Sequence, residues 1–283
     1  MSQNYLSIYA KSFNWAGFFL PKSKYNNCSA LYDFCRTIDN IADDKNNLEV
    51  KKRNLKEFKK KFFEKDFSSS KIKNMWLLIE EFSISTKIIE DLFDGVETDL
   101  EKKVILRSKK DLLIYSYRVA GTVGLMMAKI LKVKSDRAFL SAIDLGIAMQ
   151  LTNIARDVIE DEDQNRRYID KDFMKIEETI KLADSFYNSS FKSIREIPIS
   201  CRFAILVARR VYRQIGNEIK KKKDFEDYKQ SGKIYVTNIG KLKQTFLSIY
   251  DFILLIFLKS DKNNVDSYHD EIREEINLNE RFW

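Results

Sequence analysis

Apolar residues recur at intervals of three and four along most of this chain, which is the spacing of one face of an α-helix. Residues that interrupt helices are rare, since the 283 residues include only 8 Gly and 2 Pro. The pattern predicts an all-α fold, with irregular segments at 93–108, 163–170 and 224–238. The predicted helices cover 5–19, 24–44, 48–64, 71–92, 109–132, 136–162, 171–194, 199–223 and 239–258.

No segment between the predicted helices is long enough to mark a linker. We therefore expect a single helical domain over 1–283, with a core of about 1–260 and a polar tail at 261–283. The most apolar run, "FLSIYDFILLIFL" at 246–258, is shorter than a membrane span and contains Asp251. We interpret it as a core helix, the alternative being a helix that enters one leaflet of a membrane.

The charge balance favours an anionic partner, because 50 Lys+Arg against 42 Asp+Glu give a formal charge of +8. Nucleic acid is not expected as that partner, because the lysines are dispersed and no known binding motif is present. The 3 cysteines show no metal-ligand spacing, and the amino terminus lacks the zones of a signal peptide, so we expect a cytoplasmic protein. With His269 as its single histidine, the chain must bind any metal through oxygen ligands.

The segment "MQLTNIARDVIEDEDQNRRY" at 149–168 begins as an apolar helix and ends in acidic residues. At 100° per residue, its polar side chains Gln150, Asn153, Asp157 and Asp161 fall in one narrow arc. Apolar residues occupy most of the remaining circumference, which is typical of a buried helix. We therefore interpret the polar arc as facing an internal cavity.

A second pair of aspartates lies in "LYDFCRTIDNIADD" at 31–44, where Asp39 and Asp43 stand four residues apart. Like charges at this spacing repel by roughly 0.2–0.5 kcal/mol on an exposed helix. For one pair a solvated acidic face is the simpler explanation. Two pairs, each on a helix with a strong apolar face, favour a site for Mg²⁺, or for Mn²⁺ in its place. Such ions take one or two carboxylates and complete their shell with water and phosphate oxygens.

Basic residues accompany both pairs: Arg36 and Arg156 lie beside the aspartates, and Arg166 and Tyr168 follow the second pair. These side chains offer charge-assisted donors for phosphate oxygens. Carboxylates that can bind metal ions, next to arginines that can bind phosphates, are typical of a site where a diphosphate leaves. Apolar walls would suit a prenyl chain and its carbocation.

These motifs resemble the squalene and phytoene synthase family, which joins two prenyl diphosphates head to head. "YDFCRTIDNIADD" resembles the first aspartate-rich motif of the family, and "LGIAMQLTNIARDVIEDEDQNRRY" resembles the second. "YSYRVAGTVGLMM" at 115–127 is similar to the segment between them. The resemblance extends from "AKSFNWAGFFLP" to "KIYVTNIGK" and implies an isoprenoid-synthase helical bundle around a central apolar cavity.

Carried over by position, the resemblance implies three sets of site residues. The implied Mg²⁺ ligands are Asp39, Asp43, Asn153, Asp157 and Asp161. The residues implied to bind diphosphate or to orient the acids are Ser12, Arg36, Gln150, Asn153, Arg156, Arg166, Tyr168, Lys233 and Lys241. Tyr117 and Tyr212 are implied to lie near the reacting carbons, the alternative being core packing with a satisfied hydroxyl. For Ser12 the alternative is a helix cap or turn.

Several positions depart from the family pattern. Asn40 stands where a further aspartate is common, so the first metal site is expected to be weaker but not lost. Asn165, Arg167 and Asp170 replace residues of a glycine, apolar and proline pattern, which predicts a different loop shape after the second motif. Lys233 falls where an arginine is common, so it keeps the charge but loses the two-pronged donor.

The resemblance implies a prenyltransferase reaction in which two geranylgeranyl diphosphates form a cyclopropylcarbinyl (prephytoene) diphosphate and then phytoene, for carotenoid biosynthesis. "LGIAMQLTNIARDV" and the compact length resemble bacterial phytoene synthases most, so no NADPH is expected. The alternative is a squalene or dehydrosqualene synthase that uses two farnesyl diphosphates, and after it a non-catalytic assembly factor. A nearly insoluble product makes peripheral membrane contact a further expectation. The sequence gives no prediction of oligomeric state.

Overall fold

The predicted all-α fold is confirmed by the computed structural model, which describes residues 11–258 and 269–283, with side chains from Asn14 onward. The helices in the first half are α1 (Lys11–Gly17), α2 (Lys22–Asp43), α3 (Leu48–Phe63), α4 (Ser70–Phe82), α5 (Thr86–Thr98), α6 (Lys109–Ser116) and α7 (Thr122–Ile130). The later helices are α8 (Asp136–Arg156), α9 (Val158–Asp163), α10 (Phe173–Phe191), α11 (Ile199–Ile219), α12 (Phe225–Gln230), α13 (Asn238–Phe257), α14 (Asp270–Arg273) and α15 (Asn279–Phe282).

Two helices that the sequence predicted as continuous are interrupted. The predicted helix 71–92 ends at Phe82, because Ser83 takes the left-handed conformation at φ 50°, and α5 then runs on to Thr98. The predicted helix 136–162 breaks at Asp157, whose ψ of 16° is outside the helical range and which separates α8 from α9. The predicted irregular segment 224–238 contains α12, which Asp224 caps by accepting a hydrogen bond from the Asp227 N–H.

Helix α8 is the central element and packs against α7, α10 and α11. It is long and apolar enough to cross a membrane by composition, but here it is mostly buried as a core helix. Glycines let its neighbours approach closely: a Cβ at Gly124 would lie 2.2 Å from the Ala142 carbonyl oxygen, and one at Gly146 2.2 Å from that of Ala120. Close packing of α7 against α8 therefore requires glycine at both positions.

A π-helical turn at Tyr117–Gly121 joins α6 to α7 on the surface of α8. Such a turn inserts an extra residue into the helical repeat and shifts the direction of every side chain that follows.

A pair of two-residue strands fixes the loop after the second aspartate motif. Strand β1 (Val104–Ile105) pairs in parallel with β2 (Arg166–Arg167), so that Arg166 is buried and Arg167 is exposed. Asn165, just before β2, has a left-handed φ of 59°. Glycine and asparagine are the residues that adopt this conformation most readily, so Asn165 suits the turn that this chain makes.

The carboxyl-terminal segment is packed and not simply polar in its described part, 269–283. Ile272, Ile276, Leu278 and Phe282 all belong to the buried core. His269 is buried with its Nε2 2.6 Å from Asp144 Oδ1 of α8. The expectation of a polar tail is therefore wrong for these residues.

Candidate active site

A cavity of about 1050 Å³ runs along α8 and is enclosed by α2, α7, α11 and the start of α13. Its volume is at the upper end of the range for small-molecule sites, roughly 300–1,000 Å³. Lining residues on α8 extend from Ala138 to Arg156, a helical rise of about 27 Å. The walls away from the aspartates are largely apolar and include Leu20, Val119, Val123, Met127, Leu145, Met149 and Ile205.

The structure brings most of the residues predicted from the sequence to this one cavity. The predicted residues that line it are Arg36, Asp39, Asp43, Gln150, Asn153, Arg156, Asp157, Asp161, Arg166, Tyr168, Tyr212, Lys233 and Lys241. The side chain of Ser12 lies outside the described residues. Tyr117 does not line the cavity.

The first aspartate pair lies at the carboxyl end of α2, between two arginines. Arg36 Nη1 is 4.0 Å from Asp39 Oδ2 and 3.9 Å from Asp43 Oδ2. Arg166 Nη1, from β2, donates to Asp43 Oδ1 at 3.0 Å. Enclosure by protein, together with the negative charges of Asp43 and Asp99, raises the pKa of Asp39 to about 7 despite the nearby Arg36.

The second pair spans the break between α8 and α9. Arg156 donates to both oxygens of Asp157, from Nε at 2.7 Å and from Nη2 at 2.5 Å, and Lys233 Nζ lies 3.3 Å from Asp157 Oδ1. Asp161 has no arginine or lysine partner of this kind among the described residues. Burial and the charge of Asp157 raise the pKa of Asp161 to about 8, against the smaller opposing effect of Arg166.

Two cavity residues were missed by the sequence analysis. Asp99, one residue past α5, accepts hydrogen bonds from Tyr168 Oη at 2.6 Å and from Tyr115 Oη at 2.9 Å. The two tyrosine rings stack with centroids 4.6 Å apart. No second aspartate stands three or four residues from Asp99 to reveal it in the sequence. Tertiary packing alone brings it to the two predicted aspartate pairs. Tyr168 therefore contacts an acid that lies outside the two predicted aspartate pairs.

The predicted position of Tyr117 near the reacting carbons is wrong. Its side chain is fully buried, and its hydroxyl donates to Asp91 Oδ2 at 2.8 Å. Asp91 is also held by Arg281, with both contacts at 2.9 Å. Tyr117 thus points into the core, while Tyr115 and Val119 line the cavity.

Replacing Tyr117 by phenylalanine should lower stability and leave turnover unchanged. The variant keeps the ring but removes the hydrogen bond to the buried Asp91, a loss of about 1–3 kcal/mol. Thermal melting and a steady-state rate measure the two effects. Tyr115→Phe is the matched control, because Tyr115 contacts the cavity acid Asp99. A large fall in kcat for Tyr117→Phe with an unchanged melting temperature would contradict the assignment.

The residues at this end fit a divalent cation that shares its shell with a phosphate-bearing ligand. Within 11–258 and 269–283, no three acidic, histidine or cysteine side chains converge as a ready-made metal cluster. Asn153 Oδ1 also lines this end of the cavity and is buried without a hydrogen-bond donor from the described part of the chain. The helices α2 and α8 also end here, and the carboxyl end of a helix carries partial negative charge. These features suit Mg²⁺, which binds few carboxylates and keeps water or phosphate oxygens in its shell.

Cationic groups in the same cavity suit an anion. Lys241 is buried in the first turn of α13, where the helix dipole also favours negative charge. Lys233 adds a second ammonium, which pairs with Glu160 and Asp157. Carboxylates interspersed with cationic side chains, next to an apolar tunnel, give a geometry for a diphosphate with a long hydrocarbon chain.

Comparisons with known proteins agree with this geometry. A family model described as squalene/phytoene synthase matches residues 7–178. A phytoene synthase of Pseudescherichia vulneris is 35% identical over 158 residues, 48% of this chain and 51% of that protein, so the match spans about half of this relative's length. A phytoene synthase of Cereibacter sphaeroides is 31% identical over 241 residues, which is 74% of this chain and 68% of the relative. The crystal structure of a dehydrosqualene synthase in complex with ligand superposes with a TM-score of 0.74 at 28% identity, covering 87% of this chain and 93% of that one.

Proposed function

Since this chain belongs to the squalene/phytoene synthase family, we propose that it joins two geranylgeranyl diphosphates head to head to form phytoene, releasing diphosphate. The observation that carries the proposal is a single long cavity with an apolar tunnel that ends among aspartates and arginines. The phytoene synthases among its relatives support the C20 substrate and a role in carotenoid biosynthesis.

The proposed metal ligands are Asp39, Asp43, Asp157 and Asp161, with Asn153 beside the second pair. Bound Mg²⁺ would neutralise the negative charge that develops on the departing diphosphate. Arg36, Arg156, Arg166 and Lys241 would bind the diphosphate oxygens, acting where negative charge grows as the carbon–oxygen bond breaks.

The two substrate chains would then react inside the tunnel. Loss of the first diphosphate leaves an allylic cation, which the double bond of the second substrate attacks to give a new carbocation. Loss of a proton from that carbocation closes the three-membered ring and gives a cyclopropylcarbinyl diphosphate. Loss of the second diphosphate, rearrangement and release of a proton give phytoene, a sequence that consumes no reductant. The apolar walls exclude water that would capture the cations, and Tyr212 is the predicted tyrosine that faces this space.

A second candidate function is formation of a C30 hydrocarbon from two farnesyl diphosphates. It is favoured by the extensive superposition on a dehydrosqualene synthase. The deciding experiment incubates purified protein with Mg²⁺ and each prenyl diphosphate, with and without NADPH, and identifies the hydrocarbon. We expect phytoene from geranylgeranyl diphosphate without NADPH. A C30 product, with geranylgeranyl diphosphate inert, would overturn the C20 proposal.

Chain-length selection should depend on Ala142, which lines the tunnel on α8 far from the aspartates. Replacing it by phenylalanine fills space that only the longer substrate needs. We expect phytoene formation to fall by at least about tenfold, equal to about 1.4 kcal/mol in the transition state, with use of farnesyl diphosphate maintained. Rates with both substrates measure the change, and the melting temperature controls for overpacking. Equal losses with both substrates would argue against a length-selecting role.

We also propose that the enzyme works in the cytoplasm in peripheral contact with a membrane. Its cysteines, Cys28, Cys35 and Cys201, are all buried thiols without a disulfide. This supports a reducing compartment. Membrane contact would suit a substrate and a product that are mainly hydrocarbon.

A further inference from the structure

Helix α13 presents its apolar side to solvent and its polar side to the protein. Its buried residues are Lys241, Gln244, Ser248, Asp251 and Leu255. Its exposed large hydrophobic residues are Ile239, Leu242, Phe246, Leu247, Ile249, Tyr250, Ile253, Ile256 and Phe257. A surface helix of a globular protein has the opposite arrangement. The interpretation of 246–258 as an ordinary core helix is therefore wrong.

Polar contacts with α11 fix this orientation of α13. The buried Asp251 accepts hydrogen bonds from Arg210 Nε at 2.5 Å and Nη2 at 2.6 Å. Gln244 Nε2 donates to Gln214 Oε1 at 2.9 Å. Turning the apolar side inward would break these bonds and bury the charged Arg210 unpaired, at a large free-energy cost. The exposed face is thus a stable feature of the fold that calls for an external apolar partner.

The apolar face extends beyond one helix and borders the wall of the cavity. The Phe203 ring of α11 lies 6.3 Å from the Phe252 ring of α13 and 5.1 Å from the Phe19 ring, between centroids. The residues that follow two of these aromatics, Leu20 after Phe19 and Ala204 after Phe203, line the cavity. The end of α1 and helix α11 therefore lie between the tunnel and the exposed apolar surface.

We propose that the exposed face of α13, continued by Phe19, docks onto a lipid bilayer that contains anionic lipids, and that substrate and product pass between the bilayer and the tunnel here. This proposal rests on the proposed function, because it names the bilayer as the source of the prenyl substrate and the destination of the hydrocarbon product. Helices with one broad apolar face lie in the membrane interface in this way.

A bilayer fits the surface better than a second copy of the chain. The exposed positions Ile239, Leu242, Phe246, Ile249 and Ile253 follow a heptad-like seam, but Leu247, Tyr250 and Phe257 widen it well beyond the narrow stripe of a coiled coil. Lys243 is the exposed charged residue on the described part of the helix. In a chain of net charge +8, a basic residue beside this face opposes self-association and attracts anionic lipid.

The test is flotation of the full-length protein with vesicles of phosphatidylcholine alone and of phosphatidylcholine with phosphatidylglycerol. We expect the wild type to float with the anionic vesicles. The double variant Phe246→Asp/Ile253→Asp should partition at least about tenfold less, because each residue loses apolar burial and adds a charge. Both side chains are exposed, at 69% and 49%, so the fold is kept.

The matched control is Leu77→Asp/Met174→Asp, whose side chains are similarly exposed at 55% and 59% but lie on α4 and α10. It should float like the wild type. A wild type that does not float, or a Phe246→Asp/Ile253→Asp variant that floats equally well, overturns the proposal. So does a wild-type dimer in light scattering that this double variant converts to a monomer, because the face then belongs to a second copy.

Activity in detergent separates this inference from the proposed function. Neither Phe246 nor Ile253 lines the cavity, so the double variant should make hydrocarbon at the wild-type rate from substrate in micelles and at a reduced rate from substrate in vesicles. Flotation without any hydrocarbon product would refute the proposed function and leave the docking surface standing. Wild-type rates from vesicle-bound substrate would refute exchange through this face.

Discussion

Asp161→Asn is expected to abolish turnover and, at the same time, to stabilise the metal-free protein at alkaline pH. Asp161 faces the cavity without the arginine partner that Asp157 has. As a proposed Mg²⁺ ligand its loss should lower kcat by roughly three orders of magnitude, about 4 kcal/mol of transition-state stabilisation. The amide has a similar shape, so the helices should be unchanged by circular dichroism.

The gain in stability follows from the raised pKa of Asp161, which burial and the neighbouring Asp157 bring to about 8. An unfolded aspartate has a pKa of about 4. Between these values the folded chain holds the proton more tightly, so wild-type stability falls as pH rises from about 4 to 8. The neutral amide of the Asp161→Asn variant does not titrate and so removes this loss. Without metal, the variant should melt a few degrees higher than the wild type at pH 8, since each kcal/mol of stability shifts the melting temperature by about 2–4 °C. Near pH 4 the two proteins should melt at the same temperature.

Measurement of kcat and of melting temperature against pH, with and without Mg²⁺, tests both parts. Mg²⁺ should raise the melting temperature of the wild type at pH 8 and have less effect on Asp161→Asn. Glu160→Gln is the control on the adjacent residue, whose carboxylate pairs with Lys233. Wild-type turnover in Asp161→Asn would refute the metal assignment, and a lower melting temperature at pH 8 would refute the electrostatic explanation.

The parts of the site that could be predicted from sequence are those whose signal is local. Asp39 with Asp43 and Asp157 with Asp161 each carry helical spacing against an apolar face, and the cavity includes all four. Asp99 and Tyr115 have no such spacing and enter the site through the contact of α5 and α6 with the loop after α9. A single-sequence pattern contains no information on such a contact.

Helix interruptions were the main error in the predicted fold, for a related reason. The residues around Asp157 continue the 3.6-residue pattern, so periodicity alone predicted one helix through the break. In the structure the charge pairing of Arg156 with Asp157 accompanies the change in backbone direction. Helix α13 shows the complementary error: its periodicity was correctly identified, but periodicity does not reveal which side of a helix faces the protein.

Arg166→Ala is expected to have the second largest effect on activity. Arg166 follows the second aspartate pair in the chain and contacts Asp43 of the first pair, so it links the two parts of the site. Its Nη1 donates to Asp43 Oδ1 at 3.0 Å and its Nη2 to the Ala42 carbonyl oxygen at 3.3 Å, which ties β2 to the end of α2. Its charge also offsets the repulsion among Asp39, Asp99 and Asp161. Removing it should lower stability by about 2–4 kcal/mol and kcat/KM by roughly 100- to 1,000-fold.

The neighbouring arginine supplies the control. Arg167 is exposed on the other side of β2, with Nη2 3.7 Å from Glu162, so Arg167→Ala should change stability and activity little. Arg166→Lys distinguishes charge from geometry, because lysine keeps the charge but not the fork that holds Asp43 and Ala42 together. If the guanidinium geometry of Arg166 is what matters, Arg166→Lys should recover part of the stability that Arg166→Ala loses and only a small part of the lost kcat/KM. Full activity in Arg166→Lys would mean that charge alone suffices at this position, and full activity in Arg166→Ala would remove Arg166 from the site.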